Sequence, residues 1–364
     1  DAGSSGTRVL AYRFRVPFTG EDFYYSTLYE YYMDELWQET KPGLSSYVDD
    51  PEKGAETVTQ LVRQAGRLVP AERRADTPLI VRATAGLRLL APLKAQTLID
   101  EVTRAISKSG YHVGLNSVEI MEGSDEGIFI WYTVNLLPVP RLALWASQEE
   151  PSLTLLNIQS FNVIFFIFRF SYLKLGLLAA RYGIFRLEAN DNNTNEFVSV
   201  CVDPIVQKEK WTYANKQYTI SGAARAEGAK REAVYARCHG AARRYVSLTV
   251  GAPPPGAPRG AVAAMSYLYD VAADAGLIDV MRGGAVTPAQ YRAAALRACS
   301  ASNVEQPWAC VDLVYVLTLL QDVYKIRDAE PISLYKKLNG HEVSWALGLA
   351  YTSIMNKITS APAA

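Results

Sequence analysis

DAGSSGTRVLAYRF, residues 1–14, packs glycines and hydroxyls into a tight turn and then runs into an alternating stretch. Val9, Ala11, Phe14 and Val16 are its apolar positions, with polar residues between them. That pattern predicts a glycine-rich turn leading into a strand. Such a turn offers backbone N–H groups unobstructed by side chains, the hydroxyls of Ser4, Ser5 and Thr7, and the Arg8 cation, which together make a phosphate cradle. An ordinary hairpin turn favours the same residues, so the rest of the chain has to decide.

Further along, the same grammar recurs. From Glu56 a helix is expected with Val58, Leu61, Val62, Ala65, Leu68 and Val69 on one stripe. Residues 78–81 form a short apolar strand that runs into ATAGLR, with Thr84 and Arg88 as its hydroxyl and cation. Pro92 opens a helix with Leu93, Leu98, Ile99, Val102 and Ile106 inward. Residues 118–121 form a third strand, ending in EGSDEG with the carboxylates Glu122, Asp125 and Glu126, and residues 128–137 read as a helix. In the second half, helices are expected over 171–185, 262–275, 288–298, 313–324 and 343–355. Strands alternating with helices imply an α/β architecture, and turns at strand carboxyl ends are where such sheets gather ligands. An acidic turn beside two phosphate-seeking turns makes chemical sense if one carboxylate takes a proton from attacking water.

Composition narrows the class. The chain has 364 residues, 49% hydrophobic and 20% charged, enough for two cores and ordinary for a globular protein. Lys+Arg and Asp+Glu are both 37, so no global basic field exists to hold nucleic acid or an anionic membrane. Any phosphate must be held by a local site. The stretch 163–168 is the most apolar and far too short to span a bilayer. Cys201, Cys238, Cys299 and Cys310 show no CxxC pair, which argues against a structural zinc site. They suit either four buried thiols or two local disulfides, the latter in an oxidising compartment, with the Asn192 sequon pointing the same way.

DAGSSGTR, ATAGLRLL, GSDEGIFIWYTVN and SWALGLAY, in that order, resemble four of five conserved regions of the ectonucleoside triphosphate diphosphohydrolases, or apyrases. ETKPGLSSYVDDPEKGAETV, SYLKLGLLAAR, YLYDVAADAGLID and CVDLVYVLTLLQD extend the resemblance to the soluble nucleoside-diphosphatase branch of the endoplasmic reticulum, Golgi or secreted fluid. The resemblance implies a two-domain actin-like, ribonuclease H-like α/β fold with the active site in the interdomain cleft. Its N-terminal domain would comprise 1–122 and 340–364, with the first strand missing ahead of Asp1, and its C-terminal domain 123–339. It implies Ca²⁺- or Mg²⁺-dependent hydrolysis of the terminal phosphate of nucleoside diphosphates such as UDP and GDP.

Carried over residue by residue, the resemblance makes Glu126 the general base and Thr84, with Ala85 and Gly86, the holder of the terminal phosphate. Ser4, Ser5, Gly6, Thr7 and Arg8 line the first phosphate loop, and Asp1 fixes the metal through water. Trp345, Ala346 and Gly348 belong to a helix that closes the site. Cys201–Cys238 and Cys299–Cys310 are the implied disulfides. The sequence departs from the family at one point: between Trp145 and Ser171, where a second glycine-rich loop is expected, stands PSLTLLNIQSFNVIFFIFRF, without glycine or Asp. A deletion near 156–161 is the simplest account. It leaves a second reading open, a catalytically impaired relative that binds a nucleotide or a partner protein. A sugar or acetate kinase of the same superfamily is a third, opposed by the Glu126 turn and the cysteine pattern.

Overall fold

The computed structural model describes residues 1–3, 6–14, 32–136, 143–144, 148–158, 163–189, 191, 193–214, 216–225, 231–251, 262–338 and 341–359. Ser4, Ser5 and Asn192 lie outside them, as does the proline-rich stretch 252–261. The chain forms two compact units. One comprises Asp1–Pro138, Ser152–Ser171 and Ser344–Ala364, the other Val139–Pro151 and Tyr172–Val343.

The first unit begins with β1 (Thr7–Phe14) and β2 (Tyr32–Thr40), paired antiparallel with Thr7 opposite Thr40 and Arg8 opposite Glu39. Helix α1 (Pro51–Ala65) starts with Pro51 in its first turn and Asp50 capping the Lys53 amide at 3.3 Å, and buries Val58, Leu61, Val62 and Ala65. Then follow β3 (Val81–Ala83), the single turn α2 (Ala85–Arg88), α3 (Pro92–Ile106), β4 (Val118–Ile120) and α4 (Gly123–Leu136). Leu98, Val102 and Ile106 of α3 are fully buried, in one cluster with the apolar stripe of α1. Leu93, expected inward, is 85% exposed, because it sits in the first turn on the solvent side of that stripe.

Strands β3 and β4 run parallel, Val81 beside Val118 and Ala83 beside Ile120. Ala2 bridges both pairs, parallel to Ala83 on one side and antiparallel to Thr7 on the other. Its amide donates to the Arg82 carbonyl (2.8 Å) and its carbonyl accepts from Thr84 (3.3 Å). One continuous ladder therefore joins the opening segment to β3 and β4.

Next in the chain come β5 (Ala143–Leu144), β6 (Gln148–Ile158) and β7 (Val163–Ser171), of which β6 and β7 pair with each other. The second unit continues with α5 (Leu177–Glu188), β8 (Glu196–Ser199), β9 (Glu209–Tyr213), β10 (Lys216–Gly222) and α6 (Arg231–Thr249). Next come β11 (Val262–Ala264), α7 (Tyr267–Asp274), β12 (Gly284–Val286), α8 (Pro288–Ala298), α9 (Ala309–Thr318), β13 (Ile332–Leu334), β14 (Lys337–Leu338) and β15 (His341–Glu342). Its larger sheet has the order β12-β13-β11-β5, with β11 parallel to both neighbours. Helix α9 is buried along its length and extends through a π turn over Leu319–Val323. Disulfides Cys201–Cys238 and Cys299–Cys310 staple this core, with the pairing that the family resemblance implies.

Several expected elements differ in extent. The helix expected over 171–185 starts only at Leu177: Ser171 ends β7, and residues 172–175 form a turn closed by the Leu175 amide on the Tyr172 carbonyl. The expected helix over 262–275 is a strand and a helix, broken at Ser266 by a left-handed backbone (φ 59°). The helix expected from Leu313 starts earlier, at Ala309.

Helix α4 groups with the first unit. The reason is α10 (Trp345–Thr359), the last helix, which packs on α4. A Cβ on Gly348 would lie 2.0 Å from the Phe129 carbonyl oxygen, so only glycine admits this approach. The Thr133 hydroxyl donates to the Ser344 carbonyl (2.6 Å) and accepts from the Gly348 amide (2.8 Å), which locks the two helices together.

Candidate functional site

Three turns leave the sheet of the first unit at the same edge. Ala2, Ala83 and Ile120 lie side by side and point the same way, so the segments that follow them emerge together. After Ala2, the Gly3 amide donates to the Gly6 carbonyl (3.0 Å). After Ala83 come Thr84 and α2, and after Ile120 come Met121, Glu122 and the first turn of α4. Neighbouring strands sit about 4.8 Å apart, so the three exits span on the order of 10 Å, the scale of a diphosphate with its hydrated cation.

Thr7 and Thr84 are buried, 3% and 8% exposed. The Thr7 hydroxyl has no hydrogen-bond partner among the described residues, although Thr7 begins a strand whose neighbours are well paired. Buried polar groups without partners are rare in native proteins and call for an explanation. Thr84 caps α2 by position, yet its side chain makes no capping bond, while its carbonyl accepts from the Leu87 and Arg88 amides. Ala85 and Gly86 form the start of that turn, with Gly86 and Leu87 buried.

Arg88 reaches from α2 to α4, where its Nη2 pairs with Glu126 Oε2 at 3.2 Å. Its Nε and Nη1 are buried and have no partner among the described residues. Glu126 sits in the first turn of α4, whose amide dipoles favour a negative charge. Burial pushes its carboxyl above the ordinary carboxylate range, and the Arg88 guanidinium pulls it part of the way back. The result is a carboxylate with enhanced appetite for a proton, held at the mouth of the second turn.

On the first turn, the Arg8 side chain folds back on Asp1, Nη1 to Oδ2 at 3.2 Å, and on Glu39, Nη2 to Oε1 at 2.7 Å. Trp345, Ala346 and Gly348 stand in the first turn of α10, against the helix that carries Glu126, with Trp345 buried. Among the described residues no group of three or more His, Cys, Asp and Glu is arranged to enclose a metal ion, and no helix is long and apolar enough to cross a membrane.

The structure thus gathers Asp1, Gly6, Thr7, Arg8, Thr84, Ala85, Gly86 and Glu126 at one sheet edge. The sequence offered Arg88 only as a cation in its turn, and Glu39 only as the first residue of ETKPGLSSYVDDPEKGAETV, with no role. Arg88 had a usable signal, since a cation four residues after Thr84 falls one helical turn away from it.

Comparison with known proteins identifies the family. Residues 1–138 match the model of the GDA1/CD39 (nucleoside phosphatase) family. The human nucleoside diphosphate phosphatase ENTPD5 is 34% identical over 383 residues, covering 96% of this chain and 85% of that protein. The nucleoside-diphosphatase uda-1 of Caenorhabditis elegans is 30% identical over 413 residues, covering 97% and 80%. Mouse ectonucleoside triphosphate diphosphohydrolase 6 is 33% identical over 381 residues, covering 96% and 80%. These alignments are longer than the 364-residue chain, so the relatives carry residues that it lacks. Among solved structures, a Ppx/GppA family member from Aquifex aeolicus superposes with a TM-score of 0.52 at 12% identity, covering 98% of this chain and 96% of that one. That likeness establishes the fold, an actin-like α/β architecture.

Proposed function

Because the chain belongs to the GDA1/CD39 (nucleoside phosphatase) family, we propose that it hydrolyses the terminal phosphate of nucleoside diphosphates such as UDP and GDP. The observation that carries the proposal is the set of donors at the sheet edge without partners among the described residues, Thr7 Oγ1 and Arg88 Nε and Nη1, beside a carboxylate whose proton affinity is raised.

In this reading the amides of the first turn, with Ser4, Ser5, Gly6 and Thr7, receive the phosphates, and Thr84 with Ala85 and Gly86 holds the terminal one. Water attacks the terminal phosphorus in line. A new P–O bond forms to the water oxygen, the bond to the bridging oxygen breaks, the nucleoside monophosphate leaves, and Glu126 takes the proton. The donor set suits such a transfer, which needs positioning and charge neutralisation more than covalent help. A hydrated Mg²⁺ or Ca²⁺ bound chiefly by the phosphates would neutralise their charge, and a single carboxylate, Asp1, is enough to orient such an ion through water. Trp345, Ala346 and Gly348 buttress the helix of Glu126. The base acts only when deprotonated, so turnover should rise with pH through the raised titration of Glu126.

A second reading is favoured by one observation. Residues 148–171, where the family's second glycine-rich loop is expected, hold neither glycine nor Asp and instead form the paired strands β6 and β7, with 159–162 outside the described residues. A chain without that loop would leave the phosphates half-neutralised, and losing one such group costs about 10²–10³ in rate. Such a relative would bind the nucleotide and turn it over slowly or not at all. Phosphate release from UDP and GDP with Mg²⁺ or Ca²⁺, beside equilibrium binding of the same nucleotides, separates the readings. Turnover supports the hydrolase. Binding without turnover, restored by inserting a glycine-rich loop after Leu156, supports the impaired relative, and neither binding nor turnover would defeat both. The two disulfides agree with an oxidising setting, and we place the protein in the endoplasmic reticulum or Golgi lumen or outside the cell.

A further inference from the structure

Glu39 opens the stretch ETKPGLSSYVDDPEKGAETV, where no role attaches to it, yet its carboxylate lies against the first turn at Gly6. Strand register places it directly across from Arg8, on the same face of the β1–β2 pair. Its Oε1 lies 2.7 Å from Arg8 Nη2, while Arg8 Nη1 holds Asp1 Oδ2 at 3.2 Å. The three side chains are 18%, 26% and 12% exposed, so this triad is largely withdrawn from solvent. A Cβ built on Gly6 would stand 2.5 Å from Glu39 Oε1, so the carboxylate lies flat against the backbone of the turn. It has little room to retreat, since Lys41 Nζ sits 3.7 Å from its other oxygen.

We propose that Glu39 is a positioning residue for the first turn, acting through Arg8. This inference rests on the reading of that turn as a phosphate cradle. With two carboxylates on its guanidinium, Arg8 has its charge compensated and serves as a bracket between Asp1 and β2. The phosphates are then left to the turn amides and to Arg88. A side chain at position 6 would have to displace the Glu39 carboxylate.

A bystander and a positioning residue differ in the sign of one measurement. Glu39 is a negative charge beside an anion site, so neutralising a bystander would lower the KM for UDP or leave it unchanged. A positioning role predicts that Glu39→Gln raises KM about tenfold, with kcat changed less than threefold, because a cradle held ready loses part of its hold. The pair Arg8→Met and Arg8→Met/Glu39→Gln should then behave alike, since the second change has nothing left to act through. Should Glu39→Gln not fold, Glu39→Asp, which keeps the charge and shortens the reach, takes its place and should also raise KM.

The experiment is UDP hydrolysis with Mg²⁺ by the full chain and these variants, with amide hydrogen exchange of residues 2–8 followed in the same samples. A KM that falls or stays level overturns the proposal. If the unaltered chain releases no phosphate, the hydrolase reading has failed and exchange decides this one. Faster exchange in residues 2–8 on Glu39→Gln, with the rest of the first unit unchanged, upholds it, and unchanged exchange there overturns it.

Discussion

Two buried arginine–carboxylate pairs in this chain are built to different ends. In the second unit Arg181 grips Asp312 with both prongs, Nε on Oδ1 at 2.6 Å and Nη2 on Oδ2, so each charge is satisfied by the other. In the first unit Arg88 touches Glu126 with one nitrogen at 3.2 Å and leaves Nε and Nη1 buried without partners among the described residues. The surroundings repeat the contrast. The hydroxyls of Tyr245, Tyr267 and Tyr315 all find carbonyls of Lys174 or Leu175, and Tyr269 and Tyr291 reach those of Val280 and Leu268. At the sheet edge of the first unit, the Thr7 hydroxyl finds none among the described residues. Closed polar networks hold a fold, whereas open ones are tolerated where a ligand completes them.

The largest effect that sharpens this contrast is on chemistry. Glu126→Gln keeps the shape and removes the base, and phosphate release from UDP should fall about 10²–10⁴-fold with folding intact. Equal turnover in a folded variant would remove Glu126 from the mechanism. The closed pair should answer through stability instead. Asp312→Ala leaves Arg181 buried and unpaired, and denaturant unfolding should report a loss of about 3–5 kcal/mol. Turnover per folded molecule should stay near that of the unaltered chain.

Smaller substitutions probe the neighbours. Tyr315→Phe deletes one donor to the shared Leu175 carbonyl and should cost about 1 kcal/mol. Thr7→Val deletes a hydroxyl that bonds nothing in the described structure and should leave stability within about 0.5 kcal/mol. Its KM for UDP should nonetheless rise. A large stability loss there would mean that the hydroxyl is structural, and the contrast would break. The subtlest test is pH. Arg88 lowers the Glu126 titration against the upward push of burial, so removing its charge should move the acid limb of the pH–rate profile to higher pH. A limb that stays in place or moves down would uncouple the two residues.

Sequence carried the local half of this picture. The turns announced themselves through Gly, Ser and Thr at strand ends, and α1 and α3 through their apolar stripes, although α1 starts at Pro51, ahead of the Glu56 expected. What it could not carry were the pairings set by distant register. Glu39 faces Arg8 only because β2 returns antiparallel, and Arg88 meets Glu126 only because β3 and β4 run parallel. The grouping of α4 with the first unit depends on Gly348, whose need for glycine is visible only once α10 lies across Phe129. Residues 262–275 read as one helix because apolar spacing alone does not reveal the left-handed backbone at Ser266.

The central claim is that the unpaired donors of Arg88 await a nucleotide's phosphates. Titration of UDP into the unaltered chain and Arg88→Met, both with Mg²⁺ and both checked for folding, tests it most directly. The account predicts at least about a tenfold weaker affinity in the variant, the scale of one lost charge-assisted contact. Equal affinity in the two proteins would contradict it.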